Sequence, residues 1–244
     1  MEWQDQGVLL GVRRHGESAA IIEVFCEHHG RHMGLVRGGA SRKSAAILQV
    51  GTQLSLVWRA RLEDQLGTFN VEPIRARGGV LLASRNKLYA FNAISSLLSR
   101  LLPEREPNYR LYGQFITLLI AMGHDDFWQD RYCRFELELL KILGYGIELS
   151  RCAVSGEAAD LTHVSPKSGR AVGQVSAQGW ENKLLRLPAF LLTSEPQNIS
   201  QQEFYTSLLL TGYFLASRGF PNALKLPEAR QRLVDLIARQ AKTA

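Results

Sequence analysis

The chain has 244 residues, enough for one large domain or two small ones, with the 45% hydrophobic and 21% charged content of an ordinary globular protein. Apolar runs such as "SLLLTGYFLA" are far shorter than the roughly 20 residues of a membrane span, and the acidic start "MEWQDQG" is not a secretory signal, so we expect a cytoplasmic protein without a membrane segment. The formal net charge of +6 is modest, so a nucleic-acid function must be argued from local clusters of Lys and Arg.

The first 75 or so residues contain short apolar runs separated by turn signals. The runs are "VLLGVRR", "AAIIEVFCE", "RHMGLVR", "TQLSLVWRAR" and "GTFNVEPI", in which β-branched and aromatic residues are frequent. Five short strands without a convincing helix, except for the short segment "SAAILQ", predict a small barrel. The length fits an OB-fold, although an SH3-like barrel has a similar number of strands.

From Leu82 onward the apolar residues follow a helical period. The segment "ASRNKLYAFNAISSLLSRLL" has one apolar face, and Pro103 and Pro107 exclude its continuation. Further helices are predicted for "YRLYGQFITLLIAMG", "DFWQDRYCRFELELLKILGYG", "SQQEFYTSLLLTGYFLASRG" and "LPEARQRLVDLIARQ", with a polar insertion at about residues 150–180. The predicted fold class is α+β, with a five-stranded OB-fold barrel at residues 1–78 and a mostly helical domain at residues 79–244.

Motifs of catalysis and of nucleotide binding are absent from the sequence. The loop "GGASRKS" ends in Lys-Ser as a P-loop does, but Arg42 stands where that motif needs glycine, and neither GxGxxG nor GxSxG occurs. Glu136 and Glu138 are two apart on a predicted helix, which favours a solvated surface over an acid/base pair. We therefore expect no enzymatic activity and no cofactor.

Cysteine and histidine give no support for a metal site. The three cysteines lie far apart and form no CxxC pair, which disfavours both a disulfide framework and a Cys-based zinc site. His28, His29 and His32 are clustered, but adjacent side chains of an extended segment point to opposite faces, and we identify no matching acid or Cys partner nearby. We interpret them as loop histidines without a ligand.

The strongest functional signal is a concentration of cations around the loop "RGGASRK" and the neighbouring strand ends. OB-type barrels bind single strands on their sheet, where cationic loops contact phosphates and aromatic rings stack on bases. Trp58 and Phe69 lie on predicted strands, where core packing is favoured over base stacking. Arg59 and Arg61 are expected on one face of a strand, because they are two residues apart. The predicted DNA-binding residues are Arg13, Arg14, Arg31, Arg37, Arg42, Lys43, Arg59 and Arg61. The alternative for these residues is a solubilising surface.

Several segments, in order along nearly the whole chain, resemble the RecO family of bacterial DNA repair and recombination mediators, in an alphaproteobacterial form. The segments are "DQGVLLGVRRHGESAAIIEVFCEHHGRHMGLVRGG", "RFELELLKILGYGIELSRCAVSG", "SPKSGRAV" and "LLLTGYFLASRGFPNALKLPEARQRLVDLI". The resemblance implies an N-terminal OB-fold and a C-terminal helical domain, joined near residues 76–82, and a protein that works at the nucleoid without hydrolysing nucleotides.

The resemblance also implies partners. RecO-like proteins bind single- and double-stranded DNA, anneal complementary strands, and work with RecR and RecF. They bind the acidic, apolar C-terminal tail of single-stranded DNA-binding protein (SSB), and these partners help RecA to load onto SSB-coated gaps. A tail of that kind needs an apolar pocket beside cations. The predicted residues for it are Arg131, Arg134, Phe135, Leu139 and Ile142, all on one helix. In the alternative, Arg131 and Arg134 only solvate the helix and pair with Glu138.

The chain departs from the family pattern in the insertion. Many members bind zinc there through two CxxC pairs. Here Cys152 is present, but Ser155 stands in the place of the second Cys and the later pair is missing. One thiolate and at most His163 cannot complete a tetrahedral site, so we predict no zinc, with Lys167 and Arg170 in a turn that ordinary hydrogen bonds hold.

Two other functions remain as alternatives to a DNA-binding mediator. The first is a scaffold that docks RecR and SSB and has only weak DNA affinity of its own. The second is an unrecognised hydrolase, for which the sequence nominates no nucleophile, base or acid.

Overall fold

The computed structural model describes residues 1–124, 127–219 and 225–243. The fold is α+β, as predicted, and the chain forms two compact units, Met1–Gly123 and His124–Ala244. The first unit holds five strands and a short helix, followed by three further helices. These elements are β1 (Glu2–His15), β2 (Ala19–Cys26), β3 (Gly30–Val36), α1 (Arg42–Ile47), β4 (Gln53–Arg59), β5 (Thr68–Arg75), α2 (Gly78–Ala83), α3 (Arg85–Leu101) and α4 (Tyr109–His124).

The five strands close into a barrel in the order β1-β2-β3-β5-β4, which fits an OB-like fold. β3 and β5 pair in parallel, whereas the other neighbours are antiparallel. The 14-residue β1 closes the barrel because its first half pairs with β4 and its second half pairs with β2, with a register shift between Leu9 and Gly11. This bulge bends the long strand around the barrel.

The barrel core follows from the alternation of apolar and polar residues along the strands. Trp58 and Phe69 are only 1% and 2% exposed, so the core-packing interpretation of these two rings is confirmed. The Trp58 indole N–H donates to the Leu66 carbonyl at 3.0 Å, so that its buried polar atom is satisfied. The segment "SAAILQ" does contain a helix, α1, and Leu48 directly after it is buried in the same core.

Helices α3 and α4 pack against the barrel within the first unit. The predicted helix over residues 83–102 is interrupted at Ser84, whose extended backbone ends α2 and whose hydroxyl accepts the Lys87 N–H at the start of α3. Phe25 of β2 contacts the rings of Tyr112 and Phe115 of α4. Ser99 of α3 donates to the Glu23 carboxylate at 2.9 Å.

The second unit is mostly helical and contains a small three-stranded sheet in the order β7-β6-β8. Its first helix, α5, is followed by a left-handed Gly144, as a C-terminal cap requires, and a capping box of Ser200 and Glu203 begins α7. The elements are α5 (Trp128–Ile142), β6 (Leu161–Val164), β7 (Ala171–Gly173), α6 (Gln174–Ala177), β8 (Leu185–Arg186), α7 (Gln201–Phe214) and α8 (Glu228–Ala241). In the part of the chain that is described, no helix is both long and apolar enough to cross a membrane.

Glu136 and Glu138 are buried, so their interpretation as a solvated surface is wrong. Glu136 forms a two-pronged ion pair with Arg230 of α8, with N–O distances of 2.8 Å for both nitrogens. Tyr132 and Thr211 also donate to its carboxylate. The compensating charge lies 94 residues away in sequence, and for that reason the local pattern did not indicate it.

Candidate nucleic-acid interface

The β1–β2 hairpin and the loop after β3 meet at one end of the barrel. Arg14 pairs with Ala20 across the sheet, and Ala20 pairs in turn with Val36, the last residue of β3. The Ala40 N–H donates to the Ser18 carbonyl at 3.0 Å, which ties the loop to the hairpin. Residues that are far apart in sequence therefore present their side chains on the same end of the barrel.

Five of the eight predicted DNA-binding cations lie at this end. Gly38 turns the chain with a φ of +68°, and Ser41 then caps α1 by accepting the Ser44 N–H at 3.2 Å. All five side chains are exposed. We call these residues the basic cluster: Arg13, Arg14, Arg37, Arg42 and Lys43.

None of these five cations has a carboxylate within 4.0 Å among residues 1–124, 127–219 and 225–243. Their charges are therefore uncompensated at short range. An exposed guanidinium or ammonium without an acidic neighbour is available to a phosphate, since no existing ion pair has to be broken first.

The other three predicted cations have different surroundings. Arg31 is mostly buried and binds the carboxylates of Glu23 and Glu104 at 2.9 and 3.3 Å and the Leu102 carbonyl at 3.0 Å. Arg59 pairs with Glu2 at 2.9 Å, with both side chains exposed. Arg61 does not share a strand face with Arg59, because β4 ends at Arg59 and Arg61 lies in the exposed bend that follows.

A groove of about 410 Å³ lies on the face of β1, β2 and β3 beside the basic cluster. Its lining includes Arg13, Ile21 and Met33. OB-folds bind oligonucleotides on this face. Here helices α3 and α4 cover the part of the face around Phe25, whereas the groove leaves the part next to Arg13 open.

The opposite end of the barrel holds a polar and aromatic network that the sequence analysis missed. The Asp5 carboxylate accepts from the ring Nδ1 atoms of His28 and His29 at 3.0 and 2.8 Å and from the backbone N–H groups of His28, His29 and Gln6. The two rings thus share one acid, contrary to the expectation of opposite faces and no nearby acid. The partner is 23 residues away and becomes visible only when β1 and the β2–β3 turn are adjacent.

These contacts determine the charge states. Burial acts to raise the pKa of Asp5, but the hydrogen bonds from His28, His29 and Gln6 outweigh it and lower the pKa. The Asp5 hydrogen bond raises the pKa of His28. Burial lowers the pKa of His32 to about 4, so His32 is neutral at pH 7.

One group of oxygen and nitrogen atoms in the described residues is compact enough for a metal ion. Asp5, Glu27 and His28 each place one such atom within 4.8 Å of the other two. The donors of this group are already used, however, since Asp5 holds the two histidines and Glu27 accepts from the Gln6 amide at 2.6 Å. The arrangement is that of a closed hydrogen-bond network.

Helix α5 places the predicted SSB-tail residues in unequal environments. Arg134 forms an ion pair with the buried Asp130 and donates to the backbone carbonyls of Phe190 and Thr193 at 2.8 and 2.7 Å. The alternative prediction paired Arg134 with Glu138, but its carboxylate partner is Asp130. Phe135 and Leu139 are buried at 1% and 0% exposure. Arg131 and Ile142 are half-buried and reach the surface.

The insertion folds around Cys152. Its Sγ accepts backbone N–H groups of Val154, Ser155 and Gly173 at 3.3–3.4 Å. Burial acts to raise the pKa of Cys152, but the hydrogen bonds from Ser155, Gly173 and Val154 lower it to about 6.

The nearby turn that contains Lys167 and Arg170 is held by backbone hydrogen bonds. The Gly169 N–H donates to the Ser165 carbonyl at 2.8 Å, and the Ser165 N–H donates to the Arg170 carbonyl at 2.9 Å. The prediction that ordinary hydrogen bonds hold this turn is confirmed.

Comparison with known proteins identifies the family. Residues 1–77 match the family model described as "Recombination protein O N terminal", and residues 82–225 match "Recombination protein O C terminal". The chain is 51% identical to "DNA repair protein RecO" of Cereibacter sphaeroides, 49% identical to that of a Ruegeria species and 42% identical to that of Mesorhizobium japonicum. The alignments cover 98%, 98% and 100% of this chain and 99%, 100% and 96% of the relatives. With its OB-like barrel and its helical second unit, the chain belongs to the RecO family.

Proposed function

We propose that this protein is a DNA-binding recombination mediator that binds single- and double-stranded DNA, anneals complementary strands and helps RecA to load onto SSB-coated gaps. Its membership of the RecO family supports a role in DNA repair and recombination. We further propose that it acts by binding alone, without catalysing a reaction and without a cofactor.

The observation that carries this proposal is the basic cluster. Its five exposed cations have no carboxylate at short range among the described residues, and they lie beside the open part of the sheet face that OB-folds use. Phosphates that bind there release condensed counterions, which makes the affinity depend steeply on salt. The same neutralisation lowers the repulsion between two strands, so that complementary bases can pair.

Arg59 and Arg61 remain proposed DNA contacts at the other end of the barrel. Arg59 would exchange its exposed ion pair with Glu2 for a phosphate, and exposed pairs of this kind add little to the stability of a fold. Arg31 is the least accessible of the eight cations, because Glu23, Glu104 and the Leu102 carbonyl already surround it.

Docking of SSB is proposed on α5, and RecR and RecF are proposed as further partners. The half-buried Arg131 and Ile142 offer a charge and an apolar surface for an acidic tail. Arg134, Phe135 and Leu139 would act on the tail indirectly, since two of them are buried and Arg134 holds Asp130. With an SSB-tail peptide, Arg131→Ala should weaken binding and leave the melting temperature unchanged. Unchanged binding would remove Arg131 from the proposed site.

A scaffold that docks RecR and SSB with weak DNA affinity is the second candidate. The covering of the Phe25 region of the barrel by α4 favours it, because that part of the OB face is closed to DNA. Fluorescence anisotropy with labelled single- and double-stranded DNA at near-physiological salt separates the two. Binding of both forms, together with faster pairing of complementary labelled strands, supports the mediator. If binding occurs only at very low salt and pairing is not accelerated, the scaffold is favoured.

A further inference from the structure

A cleft of about 350 Å³ opens at the end of the barrel where β1 begins and β4 ends. Pockets for small ligands range from about 300 to 1,000 Å³, so this cleft suits a single flat ring system better than a large ligand. Five aromatic or imidazole rings line it. We call it the aromatic cleft, and its rings are Trp3, His28, His29, His32 and Trp58.

The rings of the cleft form an ordered stack. Trp3 lies parallel to His29, with ring centroids 3.9 Å apart and planes at 8°, and nearly parallel to Trp58, at 5.5 Å and 18°. His32 meets Trp3 edge-on at 5.1 Å. Trp58 and His32 are buried, whereas Trp3 and His29 are half-buried and reach the surface. The stack thus combines a fixed base with an accessible end.

Hydrogen bonds hold the accessible rings in place before any ligand arrives. Asp5 binds the Nδ1 atoms of both His28 and His29, so the Nε2 atom of each is left for a ligand or solvent. A platform that is already ordered loses little conformational entropy on binding.

The rim of the cleft supplies charges of both signs. Arg105 lines the cleft and donates to the backbone carbonyls of Glu63 and Gln65, which fixes the guanidinium there. Arg59 lies at the same end through its ion pair with Glu2. Glu63 also lines the cleft, and a carboxylate can accept a hydrogen bond from an exocyclic amine.

We propose that the aromatic cleft binds an unstacked nucleobase of single-stranded DNA, with His29, supported by the parallel ring of Trp3, as the stacking surface and Arg59 and Arg105 beside the flanking phosphates. Every base has a π-face, so this contact tolerates any sequence. An apolar peptide side chain could fill the cleft but would not stack on its flat rings, so the cleft favours a base over such a side chain. The inference rests on the proposed DNA binding and assigns to it a contact that the basic cluster does not provide.

The test compares a pyrimidine strand with an abasic strand of the same length, each labelled and titrated with the full-length protein at several salt concentrations. Base stacking on an aromatic side chain changes affinity by about 5- to 150-fold. Wild type should therefore prefer the base-containing strand, and Trp3→Leu should reduce that preference by at least about fivefold while keeping the salt dependence. Trp180→Leu is the matched control, because Trp180 is an exposed indole in the second unit, and its preference should equal that of wild type.

The outcomes separate this inference from the function it rests on. If wild type binds neither strand, the proposed DNA binding fails. If wild type binds but Trp3→Leu retains the full preference for bases, the cleft is not a base site, and binding of an apolar peptide there would be the competing use. His29→Ala removes the outer ring of the stack, whose side chain is 32% exposed. His29→Ala should also reduce the preference for the base-containing strand. It is the variant to use if Trp3→Leu lowers the melting temperature.

Discussion

Arginine has opposite roles in the two units of this protein. In the barrel unit, Arg13 and Arg37 are exposed and have no carboxylate at short range within the described ranges. In the helical unit, Arg134 and Arg230 each bind a buried carboxylate, from Asp130 and Glu136. An arginine that is paired with a buried carboxylate holds the fold together and has little to offer a ligand. Burial and partners therefore separate cations that are accessible to a ligand from structural ones, which the count of charges cannot do.

The largest effect on stability is expected at the Glu136–Arg230 pair. Arg230→Met should lower the free energy of unfolding by about 3–5 kcal/mol, because it leaves the buried Glu136 carboxylate without its counter-charge. Urea denaturation measures the loss. Arg232→Ala is the control on the same helix, because the Arg232 pair with Glu228 is exposed, and it should cost less than about 0.5 kcal/mol. Equal losses in the two variants would contradict a structural role for Arg230.

Asp5 has a buried, hydrogen-bonded carboxylate in the barrel, as Glu136 has in the helical unit. Its contribution to the free energy of unfolding should depend on pH. Asp5→Asn should cost about 2–3 kcal/mol near pH 5–6, since the carboxylate accepts several charge-assisted hydrogen bonds there. The lowered pKa of Asp5 means that its stabilisation is present above the unfolded value of 3.8 and is lost as pH falls through the folded pKa.

The raised pKa of His28 acts at the other end of the pH range. Its contribution is present below the unfolded value of 6.5 and is lost as pH rises through the folded pKa. The difference between wild type and Asp5→Asn in urea titrations should therefore shrink at pH 3 and at pH 8. A difference that does not vary with pH would rule out this network.

A smaller effect separates two arginines of the barrel itself. Arg31→Ala should destabilise the protein by about 1–3 kcal/mol, because Arg31 joins Glu23, Glu104 and the Leu102 carbonyl. Arg13→Ala should change the free energy of unfolding by less than about 0.5 kcal/mol but make the salt dependence of DNA binding shallower. Thermal melting of both variants measures the change in stability, and fluorescence anisotropy measures the salt dependence of DNA binding. The distinction fails if Arg13→Ala is the less stable of the two.

The strand pattern was sufficient to predict the barrel, because alternation along five short strands is a local property that survives in the fold. The same is true of α5 and α8, whose bounds follow the apolar period. The domain bounds 1–78 and 79–244 stay a prediction, and the two family models separate near the same place, at residues 77 and 82.

What the sequence did not indicate depends on pairs that are distant along the chain. Asp5 meets His28 across 23 residues, and Glu136 meets Arg230 across 94. Helical and strand periods describe which face a residue occupies, not which residue lies opposite. For that reason Glu136 was misplaced at the surface and Trp3 was not recognised as part of an aromatic stack. Two local signals point to the cleft: the cluster of His28, His29 and His32, and a sequence start that combines Trp3 and Asp5 within a strand-forming stretch.

The basic cluster is the surface that we expect to contact the DNA backbone. The most direct measurement is the salt dependence of single-stranded DNA affinity for wild type, for Arg37/Arg42/Lys43→Ala and for Arg151/Lys167/Arg170→Ala, a triple variant that loses the same charge from the exposed insertion. Each lost phosphate contact reduces the log–log slope by about 0.7. We expect a slope shallower by up to about 2 for the first variant and an unchanged slope for the second. Equal slopes in the two variants would contradict it.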